Sequence, residues 1–586
     1  MSTIPIFSVW SLSLTLLIFV GLEKLITWPI NKLLAQNTNP NRPQQQSIPL
    51  ILPPKVPESI PVPQSQPSIP LDIVPQTIPN PTKLPQLPGS IRVIRFEFEG
   101  NTAFKDEELA KITARFTNKP IAFSQLLEAE SVVTQHYTNA GYINSGAVIE
   151  AGQVLSPKGA VVKIQVIEGE IEEIKVTVEG RLRSDYIGSR LAIATTKPLN
   201  QDRLLEALQL LQLNPLIKTI SANLSQGTRR ESAILSVTVQ EADTFQMGLF
   251  GDNGRVPSIG DVERGINLNQ GNLLGFGDSL NLEYANTDGS DAVYFDYSFP
   301  VNPHNGTIKF AGRITSTKVI EEPFDRLDIE GDSLYLDLSV RQPIIQTPNQ
   351  DLALGITLSR QESNTSLLGV RFPLSPGAND NGETRLSIIR LFQEWTQRGS
   401  QDVLSLRSQF SFGVDAFDAT MQDGEPDAKF FEWQGQGQYV RSLDTDTLLV
   451  LRSNLQLTSR PLVPLEQFTL GGLYSVRGYR QDLLQTDNGV FTSAELRWPV
   501  LRIGWLEGLL QVVPFADFGV AWNDEDNVVP TPAPNTLASV GLGLQWQMGD
   551  NFTSRFDWAI PLTNLPEQGG RSQDETFYFT INYHFF

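Results

Sequence analysis

The sequence predicts a membrane β-barrel of about 16 antiparallel strands preceded by two small α/β modules. From Thr244 onward, apolar and polar residues alternate with period two, the signature of strands with one dry and one wet face. Before that, a unit of about 80 residues occurs twice, each copy opening on an alternating strand that ends in Glu-Gly. Residue types are also segregated: 15 of the 39 prolines lie between Pro40 and Pro88, and seven of the nine tryptophans follow residue 390. One long chain therefore holds three regimes, as 586 residues require when a domain takes roughly 100–200.

Composition narrows the chemistry. The net charge of −20 argues against nucleic-acid or anionic-lipid binding, which want basic patches. With no cysteine there is no disulfide, thiolate metal site or Cys nucleophile. The three histidines, His136, His304 and His584, are too scattered for a His-based catalytic or zinc site. No Walker-type glycine loop and no G-x-S-x-G elbow is present. Gly377-Ala378-Asn379-Asp380-Asn381-Gly382 has the flavour of a calcium loop without its full spacing, and reads as a solvated loop. No catalytic residue, metal or cofactor is expected.

Residues 11–20 (SLSLTLLIFV) form an apolar run of signal-peptide length, with Ala35 as a small residue for cleavage, so residues 1–35 are expected to be a signal peptide. No Lys or Arg precedes the run, and the alternative is an uncleaved helix from about Pro5 to Leu22. Residues 36–90 are rich in Pro, Gln and Ser. Proline removes amide donors and fixes φ, so this stretch reads as a semi-rigid spacer.

The first module, residues 91–169, opens with the strand Ile91–Gly100, continues with a helix from Ser124, the expected N-cap, to Ala140, and closes with Val161–Val166. The second, residues 170–243, opens with Ile171–Gly180. A helix follows with Leu204, Leu205, Leu208 and Leu211 on one face, and Ile234–Val239 closes the module.

In residues 244–586, Leu280, Leu282 and Tyr284 alternate with Ser279, Asn281 and Glu283. Phe577, Phe579, Ile581, Tyr583 and Phe585 share one face of the last strand. Strands of about 9–13 residues suit a tilted membrane crossing. Tyr294, Phe295, Trp498, Trp546 and Trp558 are expected near strand ends, as interfacial girdles. An even strand number returns both barrel ends to the periplasmic side.

Three sets of motifs carry a resemblance. IRVIRFEFEGNTAF, Gly141-Tyr142-Ile143 and VKIQVIEGE resemble a polypeptide-transport-associated (POTRA) domain. Leu470-Gly471-Gly472-Leu473-Tyr474-Ser475-Val476-Arg477-Gly478-Tyr479, in a long connection after the eleventh strand, pairs with Phe515-Ala516-Asp517-Phe518-Gly519 in the thirteenth. This pair resembles the signature of the outer-membrane barrel assembly and secretion superfamily. Asp252-Asn253-Gly254 and Asn272–Leu280 (NLLGFGDSL) are similar to its haemolysin secretion/activation branch, the transporters of two-partner secretion.

The resemblance implies a barrel in the outer membrane, POTRA domains in the periplasm, and secretion of a large partner protein. That partner would be captured unfolded as an added strand on a POTRA sheet edge. It implies that the loop carrying Val476, Arg477, Gly478 and Tyr479 folds into the lumen, where Arg477 bonds Asp517 on a wall that also presents Phe515 and Gly519. It implies contact with outer-membrane lipid, and Phe586 as an insertion signal for the barrel-assembly machinery. Relatives often carry an N-terminal plug helix where this chain has its proline-rich spacer. The competing readings are an insertase for other barrels and a passive pore.

Overall fold

The computed structural model describes residues 71–73 and 90–586, apart from 154–158, 230, 423, 425, 565–575 and 586. The expected signal peptide, most of the spacer and Phe586 lie outside these residues.

Alternation in the first copy becomes a sheet because one face of each strand has a helix to cover it. Strand β1 (Leu71–Ile73) belongs to the second domain. In the first, β2 (Ser90–Glu99), β3 (Pro120–Ala122), β4 (Gly146–Ile149) and β5 (Ala160–Ile167) form a sheet ordered β3-β2-β5-β4, with β2 and β5 parallel. Helices α1 (Asp106–Thr113) and α2 (Phe123–Asn139) pack Leu109, Leu126, Val133 and Tyr137 against Val93, Phe96, Val162 and Ile164. Ser124 is not the N-cap. The cap is Ala122, whose amide donates to the Gln125 side chain at 3.1 Å, the half of a capping box that needs no capping hydroxyl.

The second domain repeats the plan with β6 (Glu170–Glu179), α3 (Ser184–Ala194), α4 (Gln201–Gln212), β7 (Ile217–Gln226) and β8 (Ser232–Glu241). Asn200 caps α4 by accepting from the amides of Asp202 at 2.9 Å and Arg203 at 3.2 Å. Leu204, Leu208 and Leu211 are buried in the core, whereas Leu205 turns out of it and lines a cleft beside Thr347 and Pro348. The sheet order is β1-β7-β8-β6: the short strand β1, from within the proline-rich stretch, adds in parallel to the β7 edge.

Sixteen long antiparallel strands then close on themselves. They are β9 (Phe245–Asp252), β10 (Glu263–Gly271), β11 (Ser279–Asn286), β12 (Ser290–Pro300), β13 (Thr307–Lys318), β14 (Glu330–Gln346) and β15 (Gln350–Leu367). The two-residue β16 (Val370–Arg371) hangs from β15. Then come β17 (Glu383–Arg398), β18 (Asp402–Val414), β19 (Phe431–Asp444) and β20 (Thr447–Thr458). A small ribbon, β21 (Phe468–Leu470) and β22 (Leu484–Thr486), intervenes before β23 (Asn488–Ile503), β24 (Gly508–Trp522), β25 (Thr536–Met548), β26 (Phe552–Pro561) and β27 (Phe577–His584). Closure between β27 and β9 leaves no open edge, which is what a strand structure in hydrocarbon requires.

Several strands exceed the expected length, β15 reaching 18 residues. Leu249, Leu282, Leu338, Leu451 and Leu542 face outward and are exposed, while Asp296, Gln361, Glu495 and Asp517 face inward and are buried. Tyr294 departs from expectation. It sits mid-strand on β12 and turns into the lumen, where its hydroxyl donates to Asp296 at 2.9 Å; the carboxylate recruits the phenol that an interface would otherwise hold. Phe295 is also mid-strand, its ring tilted against that of Phe310 on β13 at 5.5 Å between centroids.

Candidate functional site in the barrel lumen

The connection from β20 to β23 does not leave the barrel. Its ribbon and tip fold inward, burying Leu470, Val476, Tyr479 and Leu484 against Phe491, Ala521 and Leu537 of the wall. Glycine makes the approach possible. A side-chain carbon at Gly519 would lie 2.8 Å from Leu470 and 3.2 Å from Val476, and Gly478 adopts φ +93°.

At the tip, Arg477 is 1% exposed. Its Nε donates to Asp517 Oδ2 at 2.8 Å and its Nη2 to Asp517 Oδ1 at 2.9 Å, the forked geometry of a guanidinium on a carboxylate. The Arg477 amide donates to the same Oδ2 at 3.2 Å. Nη1 reaches Glu495 at 2.8 Å and Asp557 at 3.1 Å, and the guanidinium lies 3.5 Å over the Phe515 ring. Arg555 braces the cluster, pairing with Glu495 at 3.0 Å and Asp557 at 2.9 Å, and Arg452 reaches Glu495 at 3.2 Å. Arg497 adds a longer contact to Glu495 at 3.6 Å, so three carboxylates on β23, β24 and β26 are each paired with at least one guanidinium, as buried charge requires. The Tyr578 hydroxyl, on β27, accepts from the Gly478 amide at 2.9 Å and donates to the Tyr479 carbonyl at 2.5 Å. The Tyr479 hydroxyl donates to the Ala538 carbonyl at 2.7 Å.

The base of the loop has its own anchor across the lumen. Glu466 accepts from Arg390 of β17 at 2.7 and 2.9 Å and from Gln361 at 2.7 Å. Sequence reasoning brought Val476, Arg477, Gly478 and Tyr479 together with Phe515, Asp517 and Gly519, and the structure has them in one cluster. It missed Glu495, Asp557, Arg555, Tyr578 and the Arg390–Glu466 pair. The available signal was the alternation itself: Ser493, Glu495 and Arg497, and likewise Arg555 and Asp557, fall on inward positions.

The two shorter motifs also acquire physical content. Asn253 spans the closing seam, donating to the Phe577 carbonyl and accepting from the Phe579 amide, both at 2.8 Å; Asp252 accepts from the Tyr474 hydroxyl at 3.2 Å. In the turn between β10 and β11, Asp278 accepts from the Leu274 amide at 3.0 Å, and Gly277 leaves no room for a side chain beside Tyr186 of α3. That turn seats the second α/β domain: the Arg183 amide donates to the Gly275 carbonyl at 3.0 Å.

A closed barrel with a charged loop locked in its lumen, seated on a strand-presenting α/β domain, defines a polypeptide translocator of the outer membrane. The comparisons agree. A family model described as haemolysin secretion/activation protein ShlB/FhaC/HecB matches residues 231–546, and one for a ShlB-type POTRA domain matches residues 91–169. The chain belongs to the haemolysin secretion/activation protein family, and is an outer-membrane transporter of two-partner secretion with its POTRA domains in the periplasm.

Similar proteins include the outer membrane transporter CdiB of Dickeya dadantii, 23% identical over 452 residues, covering 75% of this chain and 77% of the relative. The heme/hemopexin transporter protein HuxB of Haemophilus influenzae is 20% identical over 489 residues, covering 80% and 82%. Among solved structures, CdiB from Escherichia coli matches with a TM-score of 0.67 at 20% identity, covering 87% of this chain and 94% of that one. CdiB from Acinetobacter baumannii matches with a TM-score of 0.60 at 17% identity over 100% of both. These structures share the fold.

Proposed function

We propose that the POTRA domains capture a large secreted partner while it is unfolded, and that the lumen loop is a latch which Arg477 holds shut until that chain passes. The domain division is residues 1–35 signal peptide, 36–90 spacer, 91–169 and 170–243 POTRA domains, and 244–586 barrel. Outer-membrane lipid surrounds the barrel, and the barrel-assembly machinery inserts it.

The observation that carries the latch is the forked Arg477–Asp517 pair, buried in a cluster where Arg477 also reaches Glu495 and Asp557. The capture step is supported by the β7 edge, which takes Leu71–Ile73 as a parallel strand. Main-chain bonding of that kind makes little demand on the sequence of the added chain. The driving force fits folding of the cargo outside, since the sequence carries no nucleotide motif.

The test is a secretion assay on Arg477→Ala. Removing one partner of a buried charge pair costs about 3–5 kcal/mol, here spent on the loop rather than on the barrel's closed ladder. The variant is expected to insert normally while export falls strongly. Export at the level of the unaltered protein would end the latch reading. Loss of outer-membrane proteins rather than of a secreted one, on depletion, would favour an insertase instead.

A further inference from the structure

Below the barrel, where α3 meets the periplasmic turns β10–β11 and β12–β13, lies a cleft of about 330 Å³ lined by Arg183, Tyr186, Ser189, Arg190, Phe276 and Asn302 among others. It has room for on the order of ten waters at roughly 30 Å³ each. The net charge of −20 speaks against an anionic ligand on average, but the cleft gathers two guanidiniums against one carboxylate.

Arg190 is held without an ion-pair partner among the described residues. Its Nε donates to the Asn305 side chain at 2.7 Å and its Nη1 to the Tyr186 carbonyl at 2.9 Å. The guanidinium stacks 3.5 Å over the Tyr186 ring, and Nη2 has no acceptor among the described residues. Burial pushes Arg190 below its ordinary pKa, the mark of a charge that lacks compensation. Arg183 lies 4.9 Å over Phe276. The cleft's one acid, Asp185, is exposed and 3.5 Å from Arg183, a pairing that solvent screens.

The same turns expose Leu274 (62%), Phe276 (48%) and Val301 (47%). They lie on the rim of the barrel nearest the second POTRA domain, the periplasmic side. Paired arginines backed by aromatic rings, beside exposed apolar side chains at an interface, match a phosphate with acyl chains attached.

We propose that this cleft binds the phosphate of an anionic glycerophospholipid from the inner leaflet, its chains lying along Leu274, Phe276 and Val301. The lipid then becomes part of the joint that sets the second POTRA domain against the barrel. Arg190 fixes the headgroup from the domain side, because it already bridges α3 to the β12–β13 turn through Asn305.

Native mass spectrometry of the full chain in detergent, titrated with phosphatidylglycerol or with phosphatidylcholine of the same chains, tests this. The expected result is one phosphatidylglycerol retained in preference. About a tenfold or greater loss of affinity is expected in Arg190→Gln and in Arg183→Glu, the loss of a charge-assisted bond. Arg502→Gln serves as the control, since Arg502 lies at another periplasmic turn but is paired with Asp446 at 2.6 Å; it should bind as the unaltered protein does. Because Arg183 is exposed, Arg183→Glu decides the matter even if Arg190→Gln fails to fold. Equal retention of the two lipids, or equal losses in Arg183→Glu and Arg502→Gln, would overturn the proposal. So would displacement of the lipid by inorganic phosphate alone at millimolar concentration, which would make the site one for free phosphate.

Discussion

Single side chains explain why the motifs have the residues they have. In the first POTRA domain, Glu168 of the VIEGE segment is buried. It accepts from the Thr102 amide at 2.6 Å, the Ala103 amide at 2.8 Å, the Thr102 hydroxyl at 2.5 Å and the Tyr137 hydroxyl at 3.0 Å. One carboxylate thereby ties the Gly100–Phe104 turn to the end of β5. Burial alone would raise its pKa, but the Thr102 and Tyr137 hydroxyls and the two amides outweigh it and hold the pKa below the ordinary value. A depressed folded pKa stabilises above the unfolded value, about 4.3, and that stability is lost as pH falls through the folded one. Amide exchange at Thr102 and Ala103 in the full chain should stay protected down to about pH 4.3 and weaken below it. Glu168→Gln should destabilise the turn by about 1.5–3 kcal/mol already at neutral pH. Unchanged exchange at both amides in that variant would show that the carboxylate is incidental.

At the scale of elements, the lumen loop is a ribbon pinned at two places, Glu466 on Arg390 and Arg477 on its three carboxylates. The absence of cysteine allows a clean reporter. Ser475 accepts a 2.8 Å bond from the Gly471 amide, and Ser475→Cys is close to isosteric. Its thiol should react slowly with a soluble maleimide in the parent, faster with Arg477→Ala, and fastest with Arg390→Ala added. Equal rates in all three would mean that neither pair restrains the ribbon.

The strands themselves were legible in the sequence because side chains on a pleated chain must alternate, and one face here is dry. The fold class, the sixteen strands and the Arg477–Asp517 contact could all be read on that ground and on the motif. Glu495, Asp557 and Arg555 could not. A charge on an inward position is unremarkable in a wet lumen, and only the register of five consecutive strands brings these rows level. Ser124 misled for the opposite reason: a good capping residue stood one turn position inside a helix that Gln125 closes.

Across the whole molecule, the ladder is uneven. β24 and β25 share 13 residue pairs, whereas β27 and β9 share five, from Thr580–Asp252 to His584–Gly248. Few backbone bonds mean easy local opening. Exchange should therefore be fastest, among barrel amides, along Leu249–Asp252 and Thr580–Asn582. Asn253→Ala, which removes two 2.8 Å side-chain bonds across this closure, should speed it further. Uniform exchange around the circumference would contradict the uneven ladder.

A conduit wide enough for a polypeptide is a hazard to the membrane that holds it, because ions would follow. One cation shared among carboxylates from β23, β24 and β26, with Tyr578 of β27 gripping the neighbouring backbone, ties the loop tip to four strands at once. A gentle tug on the tip therefore strains several partners together. On the proposed latch reading, such a tip would keep the bilayer sealed against thermal jostling and yield to a cargo able to displace those partners.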